Sequence, residues 1–179
     1  CALRACELAG VPRQVALAGM AVAAGDPGSM TVRKITISGA DYVFANAFAA
    51  NDRDSTLAAW KIFADWTRAE SALPTAVIMN NRYDRLPRIA EMAALIAQEI
   101  RPSVVFLVGE SGRLAARRLA RAGVPRSLVV DLTRAGDARL ALDRIAAECR
   151  EGAHLFGIGN TRGAGQSIAD YFLENGVPA

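Results

Sequence analysis

The feature that most constrains this chain is a rhythm of short, unbroken apolar runs separated by helical patterns. The runs lie at 42–45, 75–79, 103–108, 127–131 and 153–157. A strand that is apolar along its whole length, not just at alternate residues, must be covered on both faces. Between the runs, Leu86, Ile89, Ala93, Ile96 and Ile100 recur at helical spacing, as do Ala138, Leu142, Ile145 and Cys149. Strand–helix alternation every ~25 residues predicts parallel strands joined by right-handed helical crossovers. The expected fold class is α/β, a Rossmann-like, doubly wound, mostly parallel sheet. Residues 32–38 alternate only partly and predict a strand near an edge.

The first thirty residues follow a different pattern. Residues 1–9 read as a helix ended by Gly10, and Val11 with Pro12 opens a second helix running to about Met20. Residues 23–29 are turn-rich. We place a domain boundary here, with 1–30 as the helical tail of a preceding domain plus linker, and 31–179 as the α/β domain. Because the chain opens at Cys1 inside a helical pattern, a longer protein with further chemistry ahead of it is expected.

Composition narrows the classes. Apolar residues make up 52% of the 179 and charged residues 22%, which is a globular balance and not a disordered one. A net charge of +3 without any block of consecutive basic residues argues against a nucleic-acid partner. Three cysteines and the lone His154 form no metal-ligand spacing, so a reducing, cytoplasmic setting without disulfides or zinc is expected. No apolar run reaches the ~18 residues of a membrane span. No GxxxxGK[ST] triphosphate loop occurs in these residues.

In a doubly wound sheet, ligands bind beyond the carboxyl ends of the strands, so the strand-to-helix turns carry the candidates. The first turn holds Asn46, Asn51, Asp52, Asp54, Ser55 and Thr56. One such residue suffices to cap a helix, and six exceed that need, so both a cap and a functional turn are on offer. The second turn has Asn80, Asn81, Arg82, Asp84, Arg85 and Arg88, where arginine forks match carboxylate or phosphate and Asp84 can hold one of them. Its plainer reading is a cap with solvated arginines. The third, Gly109-Glu110-Ser111-Gly112, reads as a tight turn, and Arg113, Arg117, Arg118 and Arg121 after it read as the solvated face of an amphipathic helix. The last turn carries Gly157, Gly159, Asn160, Arg162, Gly163 and Gly165, where bare backbone can approach an anion or simply pack closely. A dinucleotide fingerprint belongs to the first βα unit, so this one in the last unit does not indicate a dehydrogenase. His154, Trp60, Phe63, Trp66 and Cys149 read as core.

Taken together, Asn46 through Asp52 with Ser55 and Thr56, then Asn80 through Arg85, then Gly159 through Gly163 with Tyr171 and Phe172, resemble the C-terminal portion of a poly-γ-glutamate synthase amide-ligase subunit. That family belongs with the Mur ligases and folylpolyglutamate synthase. The resemblance implies an ATP-dependent ligase of capsule biosynthesis, which activates a γ-carboxyl as an acyl phosphate and joins it to the amine of glutamate. ATP and Mg would be held mainly by a central domain ahead of this chain, of which 1–30 is the end. The resemblance also implies glutamate and poly-γ-glutamate as substrates, membrane-embedded synthase subunits as partners, and a cytoplasmic place at the inner face of the membrane. Asn46, Asn51, Asp52 and Ser55 would then be catalytic. Asn80, Arg82, Asp84, Arg85 and Arg88 would bind substrate, and Gly159, Asn160, Arg162 and Gly163 the cofactor. Asn46 stands where Mur ligases commonly have Asp, and Asp52 where they have Pro. A Mur-type ligase with another acceptor, or a docking domain meeting an acidic partner through the α-helical arginines, are the competing readings.

Overall fold

The computed structural model describes residues 2–22, 29–50, 52–70 and 72–179. Two short helices, α1 (Ala2–Leu8) and α2 (Arg13–Val22), come first and pack on each other. Gly10 adopts a left-handed φ of 81° after the first, as a C-terminal glycine should. The second begins just after Pro12, slightly later than its sequence suggests. The linker at 23–28 lies outside the described residues.

The α/β body runs β1 (Thr31–Ile37), β2 (Ala40–Asn46), α3 (Arg53–Glu70), β3 (Thr75–Asn81), α4 (Leu86–Leu95), β4 (Val104–Gly109), α5 (Gly112–Ala122), β5 (Val129–Asp131), α6 (Ala138–Glu148), β6 (Ala153–Ile158), α7 (Ala164–Asn175) and β7 (Val177–Pro178). The strands form one seven-stranded sheet in the order β5-β4-β3-β6-β2-β1-β7. From β5 through β2 all neighbours are parallel, whereas β1 is antiparallel to β2 and β7 to β1. This is the doubly wound, mostly parallel sheet that the rhythm of apolar runs predicts.

Three local outcomes differ from the sequence reading. The run at 127–131 is strand only over Val129–Asp131, because Leu128 N–H donates to the Pro125 carbonyl in a 3-10 turn. An edge strand with one neighbour has less ladder to hold it extended. The helical pattern ending at Ile100 widens into a π turn over Ile96–Ile100 and stops at Arg101, left-handed at φ 49° and followed by Pro102. The edge beyond β1 is also covered, since Val177 pairs with Lys34 and Pro178 with Arg33. A two-residue strand holding a proline carries no periodicity to announce it.

Alternate side chains of the central strands feed two cores. Val77, Met79, Val105, Leu107, Phe156 and Ile158 point to one face, where α3, α4 and α5 supply Phe63, Ile89, Met92, Leu95, Ala115 and Leu119. Ala76, Ile78, Phe106, Val108 and Leu155 point to the other, under Leu142 and Ile145 of α6 and Ile168 and Phe172 of α7. Phe172 stacks on Phe44 at 4.4 Å between centroids and is fully buried. A side chain of that size contributes about 3 kcal/mol on burial. His154, 2% exposed, sits in β6 with its ring edge-on to Phe63 and Trp66, and burial pushes its pKa down. It is a core histidine, as its apolar run suggests.

Candidate functional site

Topology decides where a ligand can lie. The chain leaves β2 through α3 and enters β3 two places along the sheet, and β6 later fills the gap between them. The helices after β2 and β3 cover one face, while α7, after β6, covers the other. Neighbouring strands whose chains depart to opposite faces leave a crevice at their carboxyl ends. The three turns singled out in sequence are therefore brought to one edge, with the β6 loop in the middle.

The first turn is shaped by its own polar groups. Asn46 pairs with Gly157 in the β2–β6 ladder, and its Oδ1 accepts from Phe48 N–H at 3.4 Å. Asp52 Oδ1 accepts from Ser55 N–H at 2.8 Å, and Ser55 Oγ donates to Asp52 Oδ2 at 2.9 Å. Thr56 Oγ1, buried, donates to the Asp52 carbonyl at 2.7 Å. The bond from Ser55 N–H to the Asp52 carboxylate satisfies a free amide at the start of α3, which is the capping role. The Ser55 hydrogen bonds, with a smaller contribution from the Arg88 charge, hold the Asp52 carboxyl below its usual range although it is exposed. Arg88 thus links the first turn to the second electrostatically. Asp52 and Ser55 also border a hollow of about 380 Å³ with Met30, Ala47, Ala50 and Ala59. Asn51 lies outside the described residues.

The second and last turns face each other. Arg82, Asp84, Arg85, Arg88, Asn160, Thr161 and Arg162 line a cleft of about 450 Å³. Asp84 Oδ2 accepts from Arg82 Nη2 at 2.9 Å and lies 3.8 Å from Arg85 Nε, so it orients the arginines as the sequence suggests. Partly exposed pairs of this kind contribute under about 1 kcal/mol to stability, and their value here is orientation. Among the described residues that line it are four guanidinium groups and one carboxylate, so the lining is positive on balance. The amino ends of α4 and α7 reinforce it. What the cleft fits is an anion with several oxygens.

Asn80 has a different place from the one its composition suggests. It is 2% exposed, and its amide donates to the carbonyls of Asn160 and Arg162, the latter at 2.8 Å. Its Oδ1 packs against Gly109 and has no partner among the described residues. Asn80 therefore ties the second turn to the last from inside and does not open onto the cleft. Asn160 Oδ1 in turn accepts from Arg162 N–H at 2.9 Å, setting the loop that presents the Arg162 side chain. The glycines serve this packing. A Cβ on Gly159, whose φ is 106°, would meet the Asn80 carbonyl, and one on Gly165 would meet the Asn80 amide. Gly163, at φ 68°, has open space around it.

Glu110 does more than the tight turn of its sequence requires. Its carboxylate accepts from Tyr83 N–H at 2.9 Å, and its own N–H donates to the Asn81 carbonyl at 2.8 Å. The third turn is thus a brace for the second. Its position at a strand's carboxyl end was the available signal, but an acidic residue in a tight turn has too many plain explanations to single it out. Among the described residues no group of three or more His, Cys, Asp or Glu side chains could hold a metal ion.

Residues 32–175 match the poly-gamma-glutamate synthase CapB C-terminal domain family. The chain is 28% identical over 176 residues to the capsule biosynthesis protein CapB of Bacillus anthracis, covering 98% of this chain and 37% of that protein. It is 29% identical over 179 residues to the PGA synthase CapB of Bacillus subtilis (strain 168), covering 97% of this chain and 43% of that one. The chain thus spans less than half the length of either relative. Among solved structures, MurF from Acinetobacter baumannii superposes with a TM-score of 0.62 at 14% identity, over 93% of this chain and 35% of that one. A second structure from that organism, the UDP-N-acetylmuramoylalanyl-D-glutamyl-2,6-diaminopimelate--D-alanyl-D-alanyl ligase, does so at 0.57 and 14% identity, over 93% and 33%. At such identity these likenesses establish the Rossmann-like fold alone. The family match covers most of the chain, and this chain belongs to the poly-gamma-glutamate synthase CapB C-terminal domain family.

Proposed function

We propose that this chain is the acceptor-side part of an ATP-dependent amide ligase that extends poly-γ-glutamate. The observation that carries the reading is the cleft lined by Arg82, Arg85, Arg88 and Arg162 together with Asp84. Incoming glutamate carries two carboxylates and one amine. Arginine forks suit the former, and a fixed arginine pair leaves the amine free to point toward the reacting carbon. Asp52, ionised and held below the usual carboxylate range, is suited to anchoring an ammonium group and is too weak a base to deprotonate it unaided. Asn46 and Ser55 shape the turn that presents Asp52. Asn80 and Gly159 act beneath the surface, positioning the β6 loop.

ATP, with Mg, supplies the activation of the γ-carboxyl when bound. The positive cleft and the open backbone at Gly163 fit a phosphate-bearing group, and the remaining contacts belong to a domain ahead of residue 30. In this reading α1 and α2 belong to that domain. The exposure of Leu8 (73%), Val15 (60%) and Leu17 (47%) fits an apolar surface that meets it. Membrane-embedded synthase subunits are the partners carried over from the family resemblance. No helix of the described residues is long and apolar enough to cross a membrane.

The test is Arg82→Ala in the protein at its natural length. The glutamate KM should rise about tenfold or more while the ATP KM moves little, because each tenfold step is about 1.4 kcal/mol, within reach of one charge-assisted contact. Arg82→Lys should restore only part of it, since an ammonium is not a planar fork. An unchanged glutamate KM in Arg82→Ala would sink the assignment.

A further inference from the structure

Helix α5 carries a feature that the cleft does not use. Arg113, Arg117 and Arg121 stand at successive i, i+4 positions and all three are exposed. None of their side chains makes an ion pair or hydrogen bond with another described residue. The opposite side of the helix is committed, with Ala115 and Leu119 buried in the core beside α4. Unpaired charge of one sign along a helix is costly to leave together, and a matching anionic partner would relieve it. The helix starts beside the second turn, where Glu110 accepts from Tyr83 N–H. The stripe therefore begins next to the arginine cleft and leads away from it.

Spacing narrows the partner. Four helical residues advance about 6 Å. An α-linked peptide gains about 3.4 Å from three backbone bonds, so a γ-linked glutamyl unit with five gains about 6 Å, with one free carboxylate per unit. The helix thus repeats its cations at the interval at which a γ-linked polyglutamate strand repeats its anions. Single-stranded nucleic acid is the weaker match, because α5 carries no aromatic side chain for base stacking. A lipid surface is weaker too, since the apolar side of α5 is already buried.

We propose that Arg113, Arg117 and Arg121 form a track for the already polymerised γ-linked strand, outside the cleft. The track would keep a long chain on the protein between additions. This rests on the ligase reading above.

The test compares wild type, Arg113→Ala/Arg117→Ala/Arg121→Ala and a charge control, Arg126→Ala/Arg139→Ala/Arg144→Ala, each in the protein at its natural length. Calorimetry measures binding of a γ-linked glutamate dimer, a γ-linked octamer and an α-linked octamer. The octamer Kd should rise about tenfold in the stripe variant, with the γ-dimer Kd and the charge control unchanged, and the products of the stripe variant should be shorter. Equal losses in both variants, or equal losses for α- and γ-linked octamers, would reduce the effect to net charge and overturn the proposal. So would loss of binding to an oligonucleotide or to phosphatidylglycerol vesicles with γ-octamer binding intact. The ligase reading fails separately, if wild-type protein joins no glutamate in the presence of ATP while the stripe still binds the octamer.

Discussion

At the scale of single residues, the sharpest case is Asn80. By type and position it reads as a ligand-facing polar group, yet its side chain is closed in by Gly109 and Gly165 and bonds to two carbonyls of the last loop. Removing a buried donor leaves its acceptors unsatisfied at about 1–3 kcal/mol. Asn80→Ala should therefore lower the unfolding free energy by about that amount in urea titrations. It should also speed amide exchange at 159–163, and unchanged exchange there would detach the loop from Asn80. The arginines behave otherwise. Arg82, Arg85 and Arg162 line the cleft from turns at the carboxyl ends of their strands. Asp52 and Ser55 cap α3 and also border a hollow.

At the scale of elements, the glycines of the β6–α7 loop separate into two kinds that composition does not distinguish. Gly159 and Gly163 both have positive φ, and only Gly159 has a neighbour where a Cβ would go. An L side chain in such a sparsely populated positive-φ region costs about 1–3 kcal/mol by itself. Gly163→Ala should show that loss and little more, whereas Gly159→Ala must also displace the backbone of Asn80 and should be far more destabilising. Thermal unfolding of the two variants decides it, and equal shifts would mean that the loop gives way freely. The same element-scale view explains the shortened β5 and the late β7. Both are edge pieces whose pairing is set by what lies beside them.

For the whole molecule, the two-core sandwich makes His154 a sensor of global stability. Burial, with a smaller contribution from the Lys34 charge, depresses its pKa in the folded chain, while the unfolded chain protonates at the ordinary value of 6.5. The unfolded state thus takes up a proton that the folded state resists, so stability is full above 6.5 and falls as pH drops below it toward the depressed folded value. His154→Phe should flatten the slope of unfolding free energy between pH 6.5 and about 5, where most carboxylates have yet to titrate. A slope unchanged by the substitution would place the sensitivity elsewhere. The class of fold, the two-faced burial of 75–79 and 153–157 and the three polar turns were all legible in the sequence, because each is set by periodicity or local composition over a few residues. Only the tertiary structure decided that β6 inserts between β2 and β3, and this insertion sets the last loop against the arginines of the second turn. It also decided that Asn80 is buried beneath the cleft, that Glu110 braces it and that the tail covers β1. The physical reason is sequence distance. Contacts between residues 80 apart, such as Asn80 with Asn160, leave no local pattern, since either partner alone has several satisfactory ways to fill its hydrogen bonds.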